Sequence, residues 1–279
     1  MTISRLRRQI DLTDKRIVEL LNKRARIIIG IGERKSREGK AAYCPERERE
    51  VLARIAASNR GPLSNEALEA VYREIMSGSL SLEKKLTIAY LGPQATFTHQ
   101  AALKRFGSQV SYVSCDSIAD VFSEVEKGNA DYGVVPIENS IEGAVNHTLD
   151  MFVDSDLKIC AQVILDVSHN LLSRSPLNKI TEVYSKAEVF GQCRAWLQVN
   201  VPGAGHVEVS STTKAAQIAS TRKTAGCIAS MLAAKIYGLR VVARGIEDSP
   251  HNRTRFFVIG TTETAPTGSE DVDPLLHKG

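Results

Sequence analysis

The chain has 279 residues, 43% hydrophobic and 24% charged, with a formal net charge of +4. That length suits two domains or one large α/β unit, and the composition is that of an ordinary globular protein rather than a disordered or fibrous one. No apolar run reaches the 18 residues a membrane-spanning helix needs, and the N-terminus is charged from Arg5 onward with no apolar export core, so a cytoplasmic protein with no membrane partner is expected. The five cysteines (Cys44, Cys115, Cys160, Cys193, Cys227) never fall in CxxC spacing, which points to free thiols in a reducing compartment, with no disulfide and no zinc cluster. The charge is uneven. Residues 1–86 hold 19 Lys and Arg against 12 Asp and Glu, and the remaining residues hold 17 against 20. A basic first third suits nucleic acid, an anionic membrane or a small polyanion.

In chain order, Ile3, Leu6, Ile10, Ile17, Leu20, Leu21, Ile27, Ile28 and Ile31 recur at three- and four-residue steps and predict one long helix over 3–40. At about 1.5 Å per residue it would exceed roughly 50 Å, too long to bury its own apolar stripe without later helices or a second chain. Pro45 suits the first turn of a second helix over 46–57, with Cys44 near its N-cap. Asn59, Gly61 and Pro62 end it, and Ser64 can cap a third helix over 65–82.

The periodicity changes after Leu86. Thr87–Leu91, Tyr132–Pro136, Ile159–Val163, 183–185, 207–209, 226–229 and Arg255–Ile259 read as short strands alternating with helical segments, an α/β pattern with mostly parallel pairing. The tail, TTETAPTGSEDVDPLLHKG, is polar and expected to be disordered.

On the long helix, Arg24 and Lys35 fall within about 20° of one face, whereas Arg7 points elsewhere. Paired antiparallel with a second copy, Arg7 of one chain could complete the Arg24–Lys35 site of the other. Arg47 and Glu48 add a guanidinium fork and a carboxylate at the start of the second helix. Taken singly, each arginine reads as a solvated charge, and the RERE run at 47–50 as an i,i+4-paired surface face. The residues LRRQIDLTDKRIVELLNKRARI, ERK, YCPERERE and SGSLSLE together resemble the all-helical chorismate mutase family over roughly the first 80 positions. The resemblance implies an intertwined three-helix dimer in which Arg7, Arg24, Lys35, Arg47, Glu48, Ser79 and Glu83 surround a dicarboxylate substrate, Arg7 serving the partner's site. Lys35 and Glu83 would act on the ether oxygen of a pericyclic rearrangement that needs no cofactor. Glu83 can donate a hydrogen bond there only when protonated, so activity is expected to fall as pH rises.

In the second part, GPQATFTHQAA, VVPIENSIEGAVNHTLD, YSKAEVFGQC with VSSTTKAA, and IEDSPHNRTRF place polar residues around strand ends. Asn139-Ser140 and Ser211-Thr212-Thr213 suit helix N-termini able to receive a carboxylate, although for Ser140 alone a plain helix cap is the simpler reading. Cys193 and Cys227 read as small core residues, and His99, His147, His169 and His251 show no metal-ligand spacing. GVVPIENSIEG and the NRTRF run resemble prephenate dehydratase over residues 87–260. The resemblance implies two α/β subdomains of periplasmic-binding-protein type with the substrate in the cleft, Thr254 assisting the leaving hydroxyl, Asn139, Ser185 and Gln192 at the site, and Arg255 on a carboxylate. Glu138 is expected to orient its loop rather than to carry a proton. The sequence departs from that family's pattern at Ala95, where glycine is usual, and at SKAE (185–188).

The expected architecture is therefore α + α/β: a chorismate mutase helical domain over 1–85, a dehydratase α/β domain over 86–262 and a polar tail over 263–279. The expected partners are chorismate and prephenate, with a homodimer or a tetramer of paired dimers, no nucleic acid and no metal. The competing readings are a non-catalytic small-anion-binding α/β module dimerised by the helices, and a nucleic-acid binder. The last lacks interleaved aromatics, since residues 1–86 hold only Tyr43 and Tyr72. In this family a small phenylalanine-binding regulatory domain commonly follows; residues 261–279 are too short and polar to form one, so inhibition through such a domain is not expected of this chain.

Overall fold

The computed structural model describes residues 2–39, 43–249 and 251–261; the expected disorder of the 263–279 tail lies outside them. The chain divides into two compact units. One holds the residues up to Leu86 together with Gly107–Val110, and the other holds Thr87–Phe106 and Ser111–Thr261.

The first unit is built from α1 (Ile3–Arg37), α2 (Pro45–Ser58) and α3 (Asn65–Glu83). Ser64 caps α3 by accepting from Ala67 N at 3.2 Å, as its position suggested, while Cys44 precedes Pro45 at the N-cap of α2 without a side-chain bond. α1 packs against α3, and α3 against α2. This leaves the apolar stripe of α1 uncovered: Gly32 is its one buried residue, and eleven large apolar side chains from Ile3 to Ile31 are exposed. At about 1.5–3 kcal/mol for each such side chain, roughly 15–30 kcal/mol of potential burial is left unused. That exceeds the ~5–15 kcal/mol net stability of a typical domain, so leaving the face wet would be decisive.

The second unit contains two mixed sheets. The first has the order β2 (Ser111–Cys115), β1 (Thr87–Leu91), β3 (Tyr132–Asn139), β11 (Arg253–Gly260), β5 (Lys158–Asp166), with β4 (Gly143–Ala144) paired on β3. Helices α4 (Phe97–Phe106), α5 (Ile118–Glu126) and α6 (Asn146–Asp154) belong to this lobe. Its core includes Val121, Phe122, Val125, Val135 and Ile259. The second sheet runs β10 (Arg240–Ala243), β6 (Asn170–Ser173), β9 (Ala225–Ala229), β7 (Glu182–Ser185), β8 (Gly205–Glu208). Its helices are α7 (Ala187–Gln192), α8 (Arg194–Asn200), α9 (Thr212–Thr221) and α10 (Met231–Tyr237), and its two faces carry separate apolar clusters. Cys227 lies in one cluster and Cys193 in the other, where burial pushes the Cys193 thiol up to about 12.

The expectation of mostly parallel pairing is corrected by these sheets. β1 pairs in parallel with β2 and β3, and β7 with β8 and β9. β11, however, returns from the second lobe to lie antiparallel between β3 and β5, and β6 is antiparallel to both β9 and β10. The chain thus crosses between lobes twice, after β5 and before β11. β3 also runs past Pro136, where the strand was expected to stop. The β3–β11 register skips Ile137, pairing Arg255 with Glu138 but Phe256 with Pro136, and this bulge accommodates the proline inside the strand.

Candidate functional site

In the helical unit the C-terminal part of α1 faces α3. Lys35 Nζ lies 3.1 Å from Glu83 Oε1, and Arg24 donates to Ser79 Oγ, which in turn donates to Ile75 O at 2.7 Å. Ser79 is buried, and the Glu83 side chain is 7% exposed. This approach depends on Gly32: a Cβ there would stand 2.5 Å from Glu83 Cγ. By itself a glycine weakens a helix, and the role of Gly32 as the notch that admits Glu83 appears only in the packing. Arg47 is exposed and bridges to Glu50 at 2.7 Å, and Glu48 is half-buried. Arg7 is exposed on α1. The described geometry therefore gathers Arg24, Lys35, Ser79 and Glu83 at one place, with Glu83 as counter-ion to Lys35.

In the α/β unit the bulge brings the end of β3 opposite Thr254, with Asn139 its direct partner in the ladder. Asn139 Nδ2 donates to Thr254 Oγ1 and to Asn252 Oδ1, both at 2.8 Å. Asn139 Oδ1 accepts from Ile141 N at 2.9 Å and Glu142 N at 3.0 Å, so the IENSIEG loop fixes its amide. Asn252 Nδ2 continues to Gln192 Oε1 at 3.1 Å, and His169 Nε2 meets the same oxygen at 2.8 Å. Thr254, Asn252 and His169 are all buried. The network lies where the two interlobe crossings meet, since Val167 N donates to Asn252 O at 2.8 Å and Asp248 N to Gln192 O at 2.7 Å. Beside it opens a cavity of about 460 Å³, lined by Ile141, Gly191, Gln192, Ser249, Asn252 and the acidic residues Glu142, Glu188, Glu247 and Asp248.

Other expected residues sit elsewhere. Ser185 is wholly buried at the end of β7 and donates to Ile228 O at 3.1 Å. Ser211 caps α9, accepting from Lys214 N at 3.0 Å, with Thr212 beginning the helix. The adjacent Thr213 hydroxyl is buried with no hydrogen-bond partner among the described residues. The expectation that Asn139-Ser140 opens a helix is corrected: these residues end β3 and lead into β4, while α6 begins only at Asn146. Ser140 is not a helix cap either; its hydroxyl donates to His251 O at 2.8 Å and accepts from Arg253 N at 2.9 Å. Arg255 follows Thr254 in a regular stretch of strand and so takes the opposite sheet face, where it pairs with Glu138 at 3.6 Å. Glu138 thus holds an arginine of the neighbouring strand.

Asn252 and His169 were not singled out by sequence. Asn252 had a usable signal, standing two residues before Thr254 and so on the same strand face. His169 had none. His99 is stacked on Tyr90, with ring centroids 4.5 Å apart, and its Nδ1 accepts from Ala95 N at 3.1 Å; burial lowers its pKa, and it pins the turn rather than binding metal. Among the described residues no His, Cys, Asp and Glu group has metal-binding form, and no helix is long and apolar enough to cross a membrane.

A helical unit with a cation–carboxylate centre and an α/β unit with an ordered amide–hydroxyl network define a small-molecule enzyme with two distinct centres. The chorismate mutase type II family model matches residues 6–84, and the prephenate dehydratase model matches residues 88–264. The bifunctional chorismate mutase/prephenate dehydratase of Aquifex aeolicus is 48% identical over 279 residues, covering 98% of this chain and 77% of that protein. Its counterpart in Pseudomonas aeruginosa is 44% identical over 97% of this chain and 76% of its own length. Among solved structures, the prephenate dehydratase from Arthrobacter aurescens in complex with L-Phe superposes with a TM-score of 0.60 at 31% identity, over 66% of this chain and 63% of that one. The chain belongs to the bifunctional chorismate mutase/prephenate dehydratase family.

Proposed function

We propose that the chain carries out both reactions of its family in phenylalanine biosynthesis. Chorismate rearranges to prephenate in the helical unit, and prephenate loses carbon dioxide and its ring hydroxyl in the α/β unit to give phenylpyruvate. The observation that carries this reading is that the two family matches, over residues 6–84 and 88–264, follow one another along the chain. A purely anion-binding α/β module is disfavoured by relatives that match along nearly the whole chain under the bifunctional name.

In the first reaction Arg24 and Lys35 hold the dianion, with Arg47 and Glu48 at the start of α2 and Arg7 supplied by a second copy of the chain. The uncovered apolar face of α1 supports such a homodimer. Lys35 stabilises the negative charge that develops on the ether oxygen, and the pocket holds the chair-like conformer. Glu83 joins Lys35 at that oxygen when protonated and otherwise anchors the lysine. In the second reaction the electron pair of the breaking carbon–carboxylate bond aromatises the ring and expels the hydroxyl. Thr254 donates a hydrogen bond to that leaving oxygen, which departs as hydroxide and is protonated to water. Gln192 orients the ring, Asn139 holds the Thr254 hydroxyl, and the α9 N-terminus around Ser211, Thr212 and Thr213 receives a carboxylate. Ser185 supports that end from β7, since its carbonyl accepts from Val209 N at 2.9 Å. Ser140 acts by holding the β11 entry.

A coupled assay starting from chorismate tests the whole reading. The purified chain should form prephenate and then phenylpyruvate; with chorismate and prephenate each supplied separately as substrate, Arg24→Ala should lose only the first step and Thr254→Ala only the second. Loss of both steps from either change would defeat the assignment of one reaction to each unit.

A further inference from the structure

The amide network of the α/β unit has a direction, and the direction can be traced atom by atom. Asn139 Oδ1 is committed to two backbone N–H groups, so its nitrogen must face Asn252 and Thr254. Both hydrogens of that nitrogen are then spent, one on Asn252 Oδ1 and one on Thr254 Oγ1. Thr254 accepts, and its own proton is left for a ligand. With Asn252 Oδ1 turned toward Asn139, its nitrogen must donate to Gln192 Oε1. That oxygen also lies 2.8 Å from His169 Nε2, and an amide oxygen can only accept. The imidazole must therefore carry hydrogen on Nε2. Its Nδ1 is buried and has no hydrogen-bond partner among the described residues, as an unprotonated nitrogen in an apolar wall would be.

We infer that His169, held as the Nε2–H tautomer, is a positioning residue for the dehydration: it locks the Gln192 amide oxygen inward, so that the Gln192 NH2 faces the cavity and the whole chain keeps the Thr254 proton pointed at the substrate. This rests on the proposed dehydratase role of the α/β unit. Two features keep the ring in place. Phe97 meets it edge-on with centroids 5.8 Å apart, and Glu247 Oε2 accepts the His169 backbone N–H at 2.9 Å. Burial holds its pKa below the usual value, which favours the neutral form that the network needs. Without the imidazole, Asn252 is left as the one group setting the Gln192 amide, and a single neutral hydrogen bond is a weak constraint. Gln192 would then sample the reversed amide, which puts its NH2 against the Asn252 NH2 and disturbs the chain as far as Thr254.

The test uses the full chain. His169→Leu keeps the apolar packing and removes the donor, whereas His169→Gln restores an N–H at nearly the Nε2 position. With prephenate as substrate, His169→Leu should lower kcat on the order of tenfold, with a smaller change in KM, and His169→Gln should recover most of it. The chorismate mutase kcat of both variants should match wild type. Nitrogen-15 spectra of the wild-type chain near pH 7, with the His169 resonance assigned by its loss in His169→Gln, should show Nε2 protonated and Nδ1 bare. Wild-type dehydratase kcat in His169→Leu would overturn the inference. So would equal impairment of the two variants, or an Nδ1–H tautomer. If the wild-type chain makes no phenylpyruvate, the dehydratase reading fails on its own account, and the tautomer measurement still decides the direction of the chain.

Discussion

Asn139 and Thr254 face each other across the β3–β11 ladder, and the amide nitrogen of one donates to the hydroxyl of the other at 2.8 Å. The bond occupies the threonine's acceptor side and leaves its proton unspent. Thr254→Val keeps the shape but strips both functions. Prephenate turnover should fall by two orders of magnitude or more, about 3 kcal/mol in the barrier, and the orphaned Asn139 N–H should cost about 1–3 kcal/mol of stability. Thr254→Ser, which keeps the hydroxyl, should retain measurable turnover. Steady-state rates with prephenate together with urea denaturation read both effects, and a Thr254→Val chain with wild-type kcat would remove Thr254 from the chemistry.

Gly32 makes the corresponding test in the helical unit. Its missing Cβ leaves the space taken by Glu83, whose Cγ would lie 2.5 Å from any added methyl. An alanine ordinarily strengthens a helix by about 1 kcal/mol relative to glycine. Here Gly32→Ala should displace Glu83 from Lys35 and lower chorismate turnover at least tenfold, while prephenate turnover stays unchanged. An active Gly32→Ala chain would show that the Lys35–Glu83 pair is not needed.

The three helices, Ser64 as a cap and the exposed stripe on α1 were legible because each rests on local periodicity or local chemistry. The mixed sheets were not. Whether β11 pairs with β3 or β5, and in which direction, depends on the chain leaving one lobe and returning, which no local pattern records. The strands overlooked were short or polar, SYVSC at the sheet edge and NLLS in the second lobe among them. At the site, Thr254, Asn139 and Gln192 were named from a family resemblance, and the structure shows them linked. Asn252 and His169 complete that link, and His169 was invisible because its partner Gln192 is 23 residues away. Arg255, the next residue, takes the face opposite Thr254 by alternation along the strand.

Ala95 occupies φ 75°, a region that disfavours side chains, yet it is 2% exposed and packed against the second lobe's alanine-rich cluster. Ala95→Gly relieves about 1–2 kcal/mol of backbone strain. It also loses about 0.8 kcal/mol of buried methyl and roughly 0.5–1 kcal/mol of chain entropy. The terms nearly cancel, so stability should stay within about 1 kcal/mol of wild type. Ala216→Gly, in the middle of α9 and equally buried, has no strain to relieve and should cost about 2 kcal/mol. Equal losses from the two changes in urea denaturation would mean that the Ala95 turn is unstrained.

The uncovered face of α1 predicts an oligomer that charge can break. Ile10 and Ile17, 59% and 48% exposed, stand two turns apart on it. Ile10→Asp with Ile17→Asp costs only about 1 kcal/mol of helix propensity and like-charge repulsion in an isolated protomer but places two carboxylates against apolar surface in an assembly. Sedimentation should show the wild type as a dimer or larger and the double variant as smaller. Mutase activity should fall with dissociation if Arg7 completes the partner's site, and prephenate turnover should persist. A monomeric wild type would remove the shared site.

Acid should weaken the α/β unit through its two buried histidines. Burial lowers the pKa of both His99 and His169 below the usual 6.5. The unfolded chain therefore takes up protons near pH 6.5 before the folded chain can. Because the unfolded state then binds more protons, stability rises with pH in that window and is lost as pH falls below about 6.5, until the folded-state values are reached. Urea midpoints followed by prephenate turnover should drop between pH 7 and pH 5.5. His169→Gln has no proton to gain at that position and should flatten part of the slope, with His99 supplying the remainder. The same slope in wild type and His169→Gln would show that His169 takes no part in it.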